Sequence, residues 1–206
     1  ENKELEPPFV CLVVSGGHTH LVVVEDYGKY KILGKTRDDA AGEAFDKVAR
    51  VIGLGYPGGP KIDRLARDGK PNIELPKTHF DNLNFSFSGI KTAVINLNHN
   101  KKDINKADLA ASFEDTVSQI LVSHIKEAIK LTGIHKVVLA GGVSANTYIR
   151  RKFDEMAQEE KLEIYYPEIK LCTDNGAMIA SAGYYEFING NISNLELNAI
   201  PNLTLS

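Results

Sequence analysis

Apolar residues recur along the chain in two patterns, and together they predict an α/β fold. Short runs rich in β-branched residues predict buried strands, and they lie at residues 9–14, 20–25, 27–33, 136–140 and 163–169. Stripes with steps of three and four residues predict amphipathic helices, and they span residues 38–51, 61–67, 107–131, 147–158 and 177–188. The order of hairpin, helices, strand, helix, strand and helix fits a layered α/β domain.

Two glycine pairs follow apolar strands in this pattern. The pair Gly16-Gly17 connects the first two strands as a hairpin turn, and Gly141-Gly142 follows the strand at 136–140. A backbone without Cβ atoms lets a ligand approach closely, and the N-terminus of the helix after the second pair offers free N–H groups. An ordinary turn explains either pair alone, but the two pairs together favour a nucleotide-binding site.

Polar residues beside these turns are candidate contacts to a nucleotide. Asp46 and Asp63 flank a break at residues 53–60 that holds four glycines and two prolines. Ionised carboxylates there can accept hydrogen bonds from ribose hydroxyls, although a solvated helix acid is the commoner explanation for either one. Asn146 either contacts a ribose or base or, like Ser144, caps the following helix.

Other acids and histidines allow metal binding or helix capping. Asp174 follows the last predicted strand in a Thr-Asp-Asn-Gly sequence and either ligates a metal or caps the next helix. His18 and His20 are two apart, so on a strand they would share a face, and they either chelate a metal or lie on polar surface. Asp38 or Asp39 is expected to cap the helix predicted over 38–51.

Composition excludes several classes of protein. The 206 residues are 43% hydrophobic and 25% charged with a net charge of −3, which suits a globular domain and gives no support for a broadly basic nucleic-acid surface. The two cysteines are far apart and favour a reducing, cytoplasmic setting. We expect no signal peptide and no membrane span, and the absence of a start methionine suggests a fragment or processed product. Signatures of zinc peptidases, P-loop enzymes and serine hydrolases are absent.

Five motifs carry a resemblance to a known family. VSGGHTHL, DDAAGEAFDKVARVIGLGYPGGP, FSFSGIKTAV, AGGVSAN and CTDNGAMIA together resemble the TsaD/Kae1 family, in its bacterial form, over residues 8–190. The resemblance implies the actin/Hsp70/sugar-kinase-like fold, in which two α/β lobes surround a nucleotide cleft. It implies that this chain is mainly the C-terminal lobe over residues 36–206, that residues 1–35 are strands belonging to or bordering the N-terminal lobe, and that most of the N-terminal lobe is missing.

The resemblance also implies an activity and partners. Members of the family transfer a threonylcarbamoyl group from threonylcarbamoyl-AMP to N6 of adenosine 37 in tRNAs that decode ANN codons. Implied partners are tRNA, a paralogous actin-like subunit and a small ATPase, with ATP or ADP as further ligands. The alternatives are a non-catalytic actin-like scaffold of the same complex and a sugar or acetate kinase of the same superfamily. The older glycoprotease label is disfavoured because no zinc-peptidase motif is present.

Site residues follow from the resemblance position by position. The substrate's phosphate site is implied at Val13, Val14, Ser15, Gly16 and Gly17. The ribose side is implied at Asp46, Gly59 and Asp63, and the adenosine side at Asn146. Asp174 is implied as a ligand of iron or zinc, with two further histidine ligands expected upstream of this chain. We therefore expect this fragment to be inactive alone, and no catalytic general base is identified.

Overall fold

The computed structural model describes residues 2, 4–101 and 103–200, and its centre is one five-stranded sheet with the strand order β3-β2-β1-β4-β5. β1 pairs antiparallel with β2, and β2 pairs antiparallel with β3. β4 runs parallel to both β1 and β5. The strands are β1 (Phe9–Val14), β2 (Thr19–Asp26), β3 (Lys29–Lys35), β4 (Lys136–Ala140) and β5 (Glu163–Tyr165).

Six helices surround or extend from the sheet within the described residues. They are α1 (Ala41–Val51), α2 (Gly58–Ala66), α3 (Ser88–Asn100), α4 (Lys106–Thr132), α5 (Thr147–Glu160) and α6 (Gly176–Ile188). Two short 3-10 helices, Gly142–Ala145 and Ile169–Leu171, lie at loop positions. Gly133 ends α4 with a φ of 70°, a conformation that favours glycine at a helix C-terminus.

The core forms because alternate residues of β1 lie on one face of the sheet. Val10, Leu12 and Val14 are fully buried, as the period of two predicts. They belong to the same hydrophobic cluster as α1 and α4, whose Phe45 and Phe113 rings meet edge to face at 5.0 Å. This packing holds α1 and α4 against one face of the sheet.

Several predicted element boundaries are wrong. β3 spans Lys29–Lys35 instead of the predicted 27–33, and α2 begins at Gly58 instead of residue 61, inside the predicted break. The strand predicted over 163–169 ends at Tyr165, because Pro167 has no N–H to donate to a sheet ladder. The helix predicted over 38–51 begins at Ala41, and its N-cap residue is Ala40 rather than Asp38 or Asp39.

The two acids that were expected to cap α1 connect it to α3 instead. Asp38 accepts hydrogen bonds from the Phe87 N–H at 2.8 Å and the Ser88 hydroxyl at 2.6 Å. Asp39 forms ion pairs with Lys47 and Lys91, each at 2.7 Å. Tertiary partners in α3 and directly before it therefore outweigh the local capping preference.

The sheet crosses the predicted division between residues 35 and 36. β1 lies beside β4, with Val10 opposite Val137 and Leu12 opposite Leu139, so the described parts of both predicted domains share one sheet. That residues 1–35 border a further lobe stays a prediction, and residues 201–206 of the second predicted domain lie outside the described residues.

The last helix, α6, lies apart from the core. None of its residues is buried, and its apolar side chains include Ile179 at 66% and Phe187 at 65% exposure. It contacts the hairpin of β2 and β3 through Tyr185, whose ring stacks on Tyr27 at 4.1 Å. Among the described residues, none of the helices combines the length and the hydropathy that a bilayer span requires.

Candidate functional site

A cavity of about 490 Å³ opens at the carboxyl ends of β1 and β4. Because the two strands are parallel neighbours, the turns that follow them meet at the same edge of the sheet. The lining includes one residue from each glycine pair and residues from α1, α2 and the start of α5, among them Gly16, Asp46, Gly59, Asp63, Gly142 and Asn146. The two glycine turns therefore share one hollow with the side chains of Asp46, Asp63 and Asn146.

The first glycine turn reaches the cavity through Gly16. The Ser15 hydroxyl oxygen accepts hydrogen bonds from the Gly17 N–H at 3.3 Å and the His18 N–H at 3.0 Å, so these donors are used within the turn. Val14 is fully buried, Val13 is half-buried, and neither belongs to the cavity lining. Of the five residues implied for the phosphate site, Gly16 therefore has the direct access.

The second glycine turn is held against the end of β1. Gly141 has a φ of 91° and a ψ of 167°, a conformation that is almost restricted to glycine. A Cβ atom at this position would lie 2.8 Å from the Val14 carbonyl carbon and closer still to its oxygen. Gly142 then begins a 3-10 helix and lines the cavity. The close approach at Gly141 keeps the two turns together.

One wall of the cavity is formed by α1 and α2. The Asp46 carboxylate of α1 accepts a hydrogen bond from the Gly58 N–H at 2.6 Å, which fixes the start of α2 against α1. Gly59 follows in the first turn of α2 and lines the cavity, with no atom within 4 Å of the place a Cβ would occupy. The glycine-rich break therefore ends in a helix whose first turn leaves space for a ligand.

Asp63 connects α2 to the start of α5. This carboxylate is 9% exposed; it accepts a hydrogen bond from the Thr147 hydroxyl at 2.6 Å and lies 3.2 Å from the Arg67 guanidinium. The ion pair and the hydrogen bond offset the cost of burying the charge. Each carboxylate oxygen has a second lone-pair direction, so Asp63 can still accept a hydrogen bond from a ligand.

Asn146 caps α5 and also lines the cavity, and its contact with a ribose or base stays a prediction. Its Oδ1 accepts a hydrogen bond from the Ile149 N–H at 2.8 Å, so it is the N-cap of α5, and it also lines the cavity. Its Nδ2 donates to the Glu114 carboxylate at 2.6 Å. Ser144 is not the cap; it is buried and its hydroxyl donates to the Cys172 sulfur at 3.4 Å.

Glu114 is the residue of this region that the sequence interpretation missed. It is 1% exposed in the middle of α4, and burial raises the pKa of its carboxyl to about 7 even though the bond from Asn146 opposes the shift. A signal was present, because Glu114 lies three residues before Val117 and seven before Leu121, on the apolar stripe of the helix. An acid on such a stripe indicates a buried hydrogen bond.

The predicted metal ligands do not form a site by themselves. Asp174 is exposed and lies next to Thr173, which lines the cavity, while Asn175 rather than Asp174 caps α6 by accepting from the Met178 N–H at 3.0 Å. His18 and His20 are neighbours, with ring centroids 5.4 Å apart. Over the part of the chain that the structure describes, no three His, Cys, Asp or Glu residues are placed to hold a metal ion together.

Comparison with known families decides the relationship. The sequence model described as TsaD, tRNA N6-adenosine threonylcarbamoyltransferase, matches residues 1–181. The chain belongs to the TsaD family. Curated relatives that carry this enzyme name are 57% identical in Clostridium kluyveri, over 98% of the chain and 62% of the relative, and 51% identical in Clostridioides difficile, over 100% of the chain and 63% of the relative. The chain thus spans less than two thirds of the length of these TsaD relatives.

Solved structures confirm the predicted fold class. Full-length HypF in a phosphate- and nucleotide-bound form has a TM-score of 0.72 at 17% identity, and the match covers 95% of this chain and 41% of HypF. HypF of T. kodakarensis has a TM-score of 0.69 at 13% identity, covering 91% of this chain and 35% of that one. At these identities the likeness shows the fold, which is of the actin/Hsp70/sugar-kinase type.

Proposed function

We propose that the full-length protein transfers a threonylcarbamoyl group from threonylcarbamoyl-AMP to N6 of adenosine 37 in ANN-decoding tRNAs, and that the cavity binds the adenylate. Membership of the TsaD family supports the reaction. One structural observation supports the location: a single hollow joins both glycine turns to Asp46, Asp63 and Asn146. Bare backbone, carboxylates and an amide complement the phosphate, the ribose hydroxyls and the base of an adenylate.

Each part of the ligand has a matching group in this proposal. The phosphate approaches Gly16 and Gly142, where the absence of a side chain leaves room for it. The ribose hydroxyls donate to Asp46 and Asp63, and the remaining N–H of Asn146 reaches the adenosine. Val13, Val14, Ser15 and Gly17 shape the turn that holds Gly16.

The reaction is an acyl-type transfer that needs no further reactant. The N6 amine attacks the carbamoyl carbon, a C–N bond forms, the C–O bond to the phosphate breaks, and AMP leaves. The amine loses one proton in the process. Hydrogen-bond donors placed around the departing phosphate would stabilise the negative charge that develops there. We assign no general base among the described residues.

Further ligands and partners belong to the same proposal. Asp174 is proposed as one ligand of an iron or zinc ion whose other ligands lie outside this chain, and no step of the reaction is derived through that ion. The proposed partners are tRNA, a paralogous actin-like subunit and a small ATPase. ATP or ADP are alternative occupants of the cavity. The proposed location of the protein is the cytoplasm. In the full-length protein, Asp174→Ala should lower the metal content measured by mass spectrometry; unchanged content would contradict the metal role.

Filling the cavity tests the proposed site. In the full-length protein, Gly59→Leu places a side chain in the open space at the first turn of α2. Gly183→Leu is the matched control, because Gly183 also has no atom within 4 Å of a Cβ but lies in α6. We expect Gly59→Leu to weaken AMP binding roughly tenfold or more, since it excludes the ligand from its contacts, and to lower formation of threonylcarbamoyladenosine in tRNA.

The control variant has its own expected result, and two results would contradict the proposal. Gly183→Leu should bind AMP and modify tRNA like the unaltered protein. Equal AMP binding by Gly59→Leu and Gly183→Leu would place the adenylate elsewhere. If the unaltered protein binds AMP but forms no modified tRNA in the presence of the partners, the result would favour the non-catalytic scaffold.

A further inference from the structure

Glu114 lies directly behind the cavity without belonging to its lining. Its Oε1 accepts a hydrogen bond from Asn146 Nδ2 at 2.6 Å, and Asn146 is part of the lining. A glutamate with 1% exposure is rare unless it is paired or hydrogen-bonded. The contact with Asn146 therefore connects a buried acid of α4 to the ligand side of the cavity.

The amide of Asn146 is held at both of its polar ends. The Ile149 N–H can only donate, so the amide oxygen must be the atom that accepts from it at 2.8 Å. The amide nitrogen then faces Glu114 and gives one of its two hydrogens to that carboxylate. Its second N–H is the donor of this side chain that remains for a ligand.

We propose that Glu114 is a positioning residue, which fixes the Asn146 amide so that its second N–H can donate to a ring nitrogen or a ribose oxygen of the bound adenosine. This inference rests on the proposed function, because it takes the ligand to be an adenylate. Without Glu114 the amide is held at its oxygen alone and can turn about that hydrogen bond. The donor would then have no fixed direction, and binding would weaken by the scale of one hydrogen bond, roughly tenfold.

The charge on Glu114 makes the affinity for the adenylate depend on pH. Burial raises the pKa of this carboxyl to about 7, and the charged groups that act on it are Asp63 of α2, Arg67 directly after α2 and Arg151 of α5. An ionised Glu114 repels an anionic adenylate more strongly than a protonated, neutral Glu114 does. Ligand binding therefore favours the protonated carboxyl and should weaken as the pH rises through about 7.

Substitutions at position 114 separate the positioning of the Asn146 amide from the effect of the Glu114 charge. Glu114→Gln keeps an oxygen that accepts from Asn146 but carries no charge at any pH, whereas Glu114→Ala removes the acceptor. Glu127→Gln is the matched control, because Glu127 lies on the same helix and is exposed. AMP binding is measured by calorimetry between about pH 6 and pH 8 in the full-length protein and its three variants, around the pKa of about 7 of Glu114. The phosphate of AMP titrates in all four titrations and cancels in the comparison.

We expect Glu114→Gln to match the unaltered protein at the acidic end, within about twofold, and to show a flatter pH profile. Glu114→Ala should bind AMP roughly tenfold more weakly at the acidic end and share the flatter pH profile of Glu114→Gln, and Glu127→Gln should follow the unaltered protein. Unchanged affinity in Glu114→Ala, or equally weak binding in Glu114→Gln and Glu114→Ala, would overturn the positioning role. If Glu114→Ala does not fold, the glutamine variant decides: weak binding or an unchanged pH profile overturns the inference.

The two proposals fail in different ways. If the unaltered protein does not bind AMP, the proposed function is overturned and this inference falls with it. If the unaltered protein binds AMP and Gly59→Leu weakens that binding, but Glu114→Ala and Glu114→Gln behave like Glu127→Gln, only the role of Glu114 is overturned.

Discussion

Replacing Gly141 by alanine tests whether backbone contact holds the two glycine turns together. Gly141 has a φ of 91° and a ψ of 167°, and its Cα faces the carbonyl group of Val14 at the end of β1. An alanine Cβ would lie 2.8 Å from the Val14 carbonyl carbon, a distance that the backbone cannot accept without moving. Neither strand can yield easily, because β1 and β4 are neighbours in the centre of the sheet.

The expected cost has two parts. Holding a residue with a side chain in this backbone conformation costs about 1–3 kcal/mol. Relieving the overlap with Val14 costs a further 1–3 kcal/mol or so, as overpacking in a core does. We therefore expect Gly141→Ala to lower the free energy of unfolding by about 2–6 kcal/mol, which is a large part of the roughly 5–15 kcal/mol that stabilises a typical protein.

Gly142→Ala is the matched control at the next residue. Its Cβ would lie 3.8 Å from the Thr173 methyl carbon, an ordinary van der Waals contact, and its φ is not positive. Its effect on the free energy of unfolding should stay within about 0.5 kcal/mol. Urea unfolding followed by circular dichroism gives both values. A Gly141→Ala variant as stable as Gly142→Ala would refute the close contact between the turns.

Three further predictions concern the scaffold around the site. Asn105→Ala removes the side chain that accepts from the Ala107 N–H at 2.9 Å at the start of α4; it should lower the free energy of unfolding by about 1 kcal/mol in urea, whereas Asn105→Asp should leave it nearly unchanged. His124→Phe keeps a ring beside Phe85 but loses the contacts to the Ile120 and Asn84 carbonyl oxygens at 2.8 and 3.0 Å; it should cost about 1–3 kcal/mol, and a fully stable variant would contradict these contacts. Burial alone would raise the pKa of Asp38, but hydrogen bonds from Ser86, Ser88 and the Phe87 N–H lower it below its usual value. Asp38 thus contributes stability above the pKa of an unfolded aspartate, and this is lost as the pH falls through the folded pKa; Asp38→Asn should flatten the acid side of the stability profile, and an unchanged profile would contradict this contribution.

The types of the main elements could be predicted because each has a clear period. The apolar runs of β1 and β4 and the stripe of α4 match the structure within a few residues. The start of α1 was wrong because distant residues decide it. Asp38 and Asp39 look like caps in sequence, yet Asp38 bonds to Phe87 directly before α3 and Asp39 pairs with Lys91 within α3, which no local pattern reveals.

The glycines of the candidate site could be predicted from the sequence, whereas several of its polar contacts could not. That the two glycine pairs share a cavity depends on β1 and β4 being parallel neighbours, although they are more than a hundred residues apart in the chain. The Ser15 hydroxyl takes up the N–H groups of Gly17 and His18, which depends on the conformation of the turn and not on its composition. Glu114 is far from Asn146 in sequence, so their contact follows from the packing of α4 against α5.

The position of AMP bound to the full-length protein tests the central claim most directly. A crystal structure with AMP should show the nucleotide between Gly16 and Gly142, with its ribose beside the carboxylates of Asp46 and Asp63. AMP bound on another surface, with this cavity left to solvent, would contradict the claim that the two glycine turns form an adenylate site.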